Sequence, residues 1–227
     1  MENKDRIFVS FEDKNTIDDR IKQGDLFIDY YEDWKKSQKK GIIVPENYNK
    51  IFYLSPITES SIYTKDLKNC FSLVVRGVDD KNKYKALLTH QNPVFLESYG
   101  ANSYFDKKLT EQLEKIKNDS EILDVFVVGG NYAFSNVNNF DKSFASFYKE
   151  HLEILNEIIN RNLKRDIEIL TGPNFSPNPQ SFYLETQTAK AYLYGLDNNN
   201  GFNYPYKIKD LEKEEKKWIE NLKAKNG

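Results

Sequence analysis

Cysteine is nearly missing from this chain: Cys70 is the one example in 227 residues. An internal disulfide is therefore excluded, and so is a zinc site built from several thiolates. Histidine is almost as scarce, with only His90 and His151. No basic surplus exists either: 33 Lys and Arg face 35 Asp and Glu, for a net charge of -2. A nucleic-acid footprint would need that surplus on one stretch, so no nucleic-acid partner is expected. No segment approaches the ~18 consecutive apolar residues of a membrane helix, so no membrane partner is expected. The opening residues MENKDRIFVSFEDK lack a basic region followed by an apolar one. Cytoplasmic residence, or export without a cleaved signal peptide, is the expectation.

Aromatic residues are what the chain has in plenty. Fifteen Tyr and fifteen Phe are enough to fill much of a core. The length suits a single domain spanning 1–227. Residues 1–55 read as an N-terminal extension, 56–197 as the core, and 198–227 as a connector and C-terminal helix.

Hydrophobic periodicity places the elements in an α/β class. Ile7 to Phe11 and Ile51 to Leu54 read as short strands, and Thr16 to Lys36 carries apolar residues near helical spacing. Cys70 to Val75 is β-rich and ends at Gly77 and the turn Asp79-Asp80-Lys81-Asn82. Tyr84 to Thr89 forms its hairpin partner, with His90 just past the end. Lys108 to Asn118 and Phe144 to Asn162 are amphipathic helices. Ile122 to Val128 is a nearly continuous apolar run closed by Gly129-Gly130, the pattern of a strand buried on both faces. Ile167 to Leu170 is a strand, and Phe182 to Leu184 with Ala189 to Leu193 makes a closing hairpin. The tail from Asp210 to Ala224 is a charged helix.

In that arrangement Cys70 and His90 stand at one edge of the sheet, at the start and finish of neighbouring strands. Thr64 precedes the first strand, in a loop able to fold its hydroxyl towards the imidazole. A thiol, a base and a group that orients the base are the parts of a cysteine nucleophile. The competing reading is a small buried hydrophobe at a strand start. His151 falls on the packing stripe of Tyr148 and Leu155 and reads as a core-edge or surface residue. Gly129-Gly130 lacks the further glycine and lysine of a phosphate loop, and a turn at positive φ accounts for it. Asp79, Asp80, Glu97 and Asp124 show no metal-ligand spacing and read as solvated or turn-forming. No metal and no cofactor is expected.

Thr64-x5-Cys70, followed by a histidine at the end of the next strand, resembles the CheD family of chemoreceptor glutamine deamidases. It also resembles the cytotoxic necrotizing factors that share their fold. Val125 to Asn131 is similar to that superfamily's strand ending in Gly-Gly, and Phe182 to Ala189 is similar to its closing hairpin. The likeness spans roughly residues 60–194. It implies a layered α-β-β-α sandwich with N- and C-terminal additions. It makes Cys70 the nucleophile, His90 the general base, and Thr64 the residue that orients His90 through its backbone carbonyl. The activity implied is hydrolysis of a glutamine side chain to glutamate on a protein partner, in a bacterial effector or toxin. Lys68-Asn69 stand where CheD proteins carry Gly-Ser, and Phe71 is bulkier than the small residue expected after the cysteine, which would narrow the cleft. The alternatives are a CheD-like interaction module without catalysis, or another thiol hydrolase or transglutaminase-like enzyme.

Overall fold

Alternate residues of the strand that follows Cys70 enter two different apolar clusters, and this division organises the molecule. Phe71, Leu73 and Val75 point to one side, and Val74 points to the other. The structure, a computed structural model, describes residues 8–12, 26–28, 52–55, 57, 59, 61–130, 142–172, 180–185, 190–194 and 205–226. These form a mixed α/β fold with two sheets and three helices among the described residues.

The strands in chain order are β1 (Phe8–Glu12), β2 (Leu26–Ile28), β3 (Phe52–Leu54), β4 (Ile62–Leu67), β5 (Phe71–Val78) and β6 (Tyr84–Gln91). Helix α1 (Tyr104–Asp119) leads into β7 (Glu121–Gly129), and α2 (Lys142–Leu163) leads into β8 (Glu168–Ile169). Then come β9 (Gln180–Glu185), β10 (Lys190–Tyr194), β11 (Tyr206–Lys207) and helix α3 (Leu211–Asn226). One sheet runs β1-β10-β9-β4-β2, and the other runs β11-β8-β7-β5-β6-β3.

Helix α1 starts where Ser103 caps it, its hydroxyl accepting from the Asp106 amide at 3.1 Å. Leu109, Leu113 and Ile116 then recur at helical spacing and pack on the six-stranded sheet, beside Leu152, Leu155 and Ile159 of α2. Helix α3 adds Leu211 to this cluster, and its Glu215 pairs with Lys149 of α2. On the opposite side of β5, Val74, Leu88, Phe126 and Val128 meet Ile62, Phe182, Leu184 and Leu193 of the five-stranded sheet.

The residues expected to be an N-terminal extension supply strands to both sheets. β1 pairs in parallel with β10, β2 in parallel with β4, and β3 antiparallel with β6. Within the stretch read at helical spacing, Leu26–Ile28 is a strand, because its neighbour β4 supplies a ladder that periodicity does not register. The rest of that stretch and the connector 198–204 lie outside the described residues.

β7 is hydrogen-bonded on both edges, by β5 and β8, and its apolar residues enter clusters on both faces, as the nearly continuous apolar run implies. Gly129 and Gly130 close it at φ of 92° and 87°. Asp79 forms a turn by accepting from the amides of Lys81 and Lys83, each at 2.9 Å. Asp124 departs from the expectation of a solvated carboxylate. It pairs with Arg76, which is fully buried, and burial raises the Asp124 carboxyl while Arg76 opposes the shift.

Candidate functional site

Two polar residues of the sequence motif, Thr64 and His90, meet between the sheets, and Cys70 lies on the same side of β5. Cys70 directly precedes β5 and packs, partly buried, against the cluster formed by both sheets. His90 lies within β6, two residues from Leu88 of that same cluster. Thr64 lies in β4, two residues from Ile62, and so shares Ile62's side of the strand.

Thr64 Oγ1 is 2.9 Å from His90 Nδ1, in a contact buried from solvent. The bond joins one sheet to the other. When Nδ1 carries its proton and donates to the threonine oxygen, Nε2 is left with the lone pair that a general base needs. The contact to the imidazole is made by the hydroxyl of Thr64, whereas the family likeness implies its backbone carbonyl.

Two positional expectations need correcting. Thr64 belongs to a strand of the second sheet, not to a loop before the first strand. His90 sits inside β6, which continues to Gln91 because β3 pairs with its outer side, Tyr53 opposite His90. Both residues are consequently held by ladders, which fixes them more firmly than loop positions would.

Irregular pairing surrounds the site. The β5–β6 ladder pairs Phe71 with Gln91 and Val74 with Leu88, and lapses in between. There the Leu73 amide donates to Thr89 Oγ1 at 3.0 Å. Continuing the register sets Ser72 opposite His90. In β4 the register against β9 shifts between Thr64 and Leu67. Such bulges re-aim side chains beside functional sites.

Cys70 is anchored through its carbonyl, which accepts from the Gly130 amide at 3.0 Å. A Cβ on Gly129 would stand 2.9 Å from that same oxygen, so glycine is required there by both space and φ. Burial pushes the Cys70 thiol up to about 12, against a lowering backbone hydrogen bond. The resting group is therefore a neutral thiol. Lys68 and Asn69 make the approach to Cys70 without positive φ, so the Gly-Ser of CheD proteins is not needed for this backbone path.

Phe71 does not narrow the space around the thiol. It points to the helix side, where it meets Tyr148 edge-on at 5.4 Å and His151 edge-on at 4.7 Å between centroids. His151 is fully buried, contrary to the core-edge or surface reading. It stacks on Tyr99 at 3.8 Å, and neither ring nitrogen has a hydrogen-bond partner among the described residues. Burial lowers its pKa well below the ordinary histidine value. It takes no part in the Cys70 site, from which β5 separates it.

Sequence reasoning missed Ser72, Thr171 and Gln180, all fully buried near Cys70. The Gly129 amide donates to Thr171 Oγ1 at 3.0 Å, and that hydroxyl lies 2.9 Å from Gln180 Oε1. A polar residue opening the hairpin strand was the available signal. Among the described residues no group of three His, Cys, Asp or Glu is placed to hold a metal ion. Among them, too, no helix is long and apolar enough to cross a membrane. No protein-family model matches this chain, and no curated protein matches it.

Proposed function

We propose that this chain is a cysteine-dependent protein glutamine deamidase, akin to the CheD-like and cytotoxic necrotizing factor-like enzymes. The observation that carries the reading is the Thr64–His90 hydrogen bond on the face occupied by Cys70. In the fold that goes with it, an α-β-β-α sandwich, the two sheets pack together between two helical layers. The two apolar clusters, one between helices and the six-stranded sheet and one between sheets, support three of those four layers.

The chemistry starts from a neutral thiol. As a glutamine side chain enters, His90 Nε2 takes the thiol proton and the sulfur attacks the carboxamide carbon. The carbonyl π electrons move to oxygen, giving a tetrahedral oxyanion. Collapse of that intermediate breaks the C–N bond, and the imidazolium supplies the proton that lets ammonia leave. A thioester on Cys70 remains. Water, deprotonated by His90, then attacks the thioester carbon, and the sulfur departs to take back a proton. The product is glutamate, and Thr64 holds the imidazole in one tautomer throughout.

Incubating the protein with candidate partner proteins, and searching for glutamines whose NH2 has been replaced by OH, tests the reading. Conversion by the wild type and none by Cys70→Ser is the expected result. Conversion by both would remove Cys70 from the chemistry.

The burial that raises the thiol favours a second reading, an interaction module with the same fold and no catalysis. In that case no candidate partner gains glutamate, and a stable complex forms instead.

A further inference from the structure

Among the described residues, the two donor hydrogens of the Gln180 amide have nothing to bond. The Gly129 main-chain N–H is an obligate donor, so Thr171 Oγ1 accepts from it. The single hydroxyl proton of Thr171 is then directed to the other neighbour, Gln180 Oε1. The Gln180 amide sits with Oε1 towards Thr171 and its NH2 turned away. Gln180 Nε2 is sealed from solvent and has no hydrogen-bond partner among the described residues. An idle buried donor is costly, so its presence calls for an explanation.

Its position supplies one. Gln180 shares the side of β9 that carries Phe182 and Leu184, which belong to the cluster against which Cys70 packs. Its register partner is Leu67, three residues before Cys70. A Cβ built on Gly129 would lie 3.1 Å from Leu67 Cβ and 2.9 Å from the Cys70 carbonyl. The Thr171–Gly129 relay therefore ties the Gln180 amide to the backbone that carries the thiol. A second idle polar atom, Ser72 Oγ, occupies the same side of β5 two residues beyond Cys70.

We propose that Gln180 Nε2 is the donor that recognises the carbonyl oxygen of the substrate carboxamide and holds the oxyanion formed when Cys70 attacks. The inference rests on the deamidase reading and gives that site a specificity residue. The relay from Gly129 through Thr171 pre-orients the donor, which is what makes such a group effective on a developing negative charge. Ser72 Oγ is a matching acceptor for the NH2 of the carboxamide.

The test uses the full chain, whose single thiol makes labelling unambiguous. One probe is a glutamine analogue carrying CH2Cl in place of the carboxamide NH2. Its ketone oxygen needs the donor as sulfur attacks. The other is methyl methanethiosulfonate, which has no carbonyl. In Gln180→Leu the rate ratio of the first probe to the second should fall about tenfold or more. Gln180→Glu keeps the acceptor for Thr171 and removes the donor, so it should fall likewise in a protein that melts like the wild type. An unchanged ratio in Gln180→Glu overturns the proposal. The two readings fail separately. A fallen ratio without any glutamine conversion by the wild type keeps the donor and ends the deamidase reading. Conversion at the wild-type rate by Gln180→Glu does the reverse.

Discussion

Thr64 and His90 come from different sheets, 26 residues apart in sequence, and meet with Oγ1 2.9 Å from Nδ1. Removing the hydroxyl while keeping the volume, in Thr64→Val, frees the imidazole to take either tautomer. Deamidation should fall about 10- to 100-fold, and Thr64→Ser should recover most of it. Nitrogen NMR of His90 offers a second check: one fixed tautomer in the wild type and a mixture in Thr64→Val.

Cys70 should alkylate slowly near neutral pH, because burial holds the thiol protonated. The midpoint of its pH–rate curve with iodoacetamide should lie well above the ordinary ~8.5. Linkage gives the sign for stability. The folded pKa, about 12, is above the unfolded one. The contribution is therefore whole below the unfolded value and is lost as pH rises towards the folded value. Denaturant titrations at pH 8 and pH 10 should show lower stability at the higher pH, and Cys70→Ala should lose that part of the difference.

His151 works in the opposite direction. Its folded pKa lies below the unfolded ~6.5, so the unfolded chain binds the proton first as pH falls. Stability should drop below pH ~6.5 by up to about 1.4 kcal/mol per pH unit from this group. His151→Phe, which keeps a flat ring among Phe71, Tyr99 and Phe105, should flatten that part of the profile. An unchanged acid slope would mean that the ring is reached by solvent.

Gly172 adopts φ of 98°, and a Cβ there would collide with the carbonyl of Gly129. Gly172→Ala should cost ~3 kcal/mol or more and lower the melting temperature accordingly. Gly100→Ala is the control, since nothing lies within 4 Å of its Cβ. It should change stability by no more than about 0.5 kcal/mol.

Local pattern carried much of the fold. The period of Leu109, Leu113 and Ile116, and the apolar run before Gly129-Gly130, identify their elements because packing there follows neighbours in sequence. Partners far along the chain are a different matter. Pairing of β1 with β10 or β2 with β4 leaves no mark on three- to six-residue strands. Thr64 looked like loop because Lys65-Asp66 interrupts the apolar alternation, at the place where the β4–β9 register shifts. His90 seemed to follow its strand because β3, which extends the ladder to Gln91, begins 38 residues earlier. Cys70 and His90 were correctly assigned to one edge of a hairpin. The orientation of Phe71 followed from period two and was open to the same reasoning. Gln180 was hidden, since only the Thr171 relay distinguishes it from any polar residue at a strand start.

The most direct measurement is an acid quench during turnover, followed by intact-mass analysis of the enzyme. Wild type should carry an acyl group on Cys70 while ammonia accumulates, and Cys70→Ser should form neither thioester nor ammonia. Ammonia release and glutamate formation by Cys70→Ser at the wild-type rate would contradict the account.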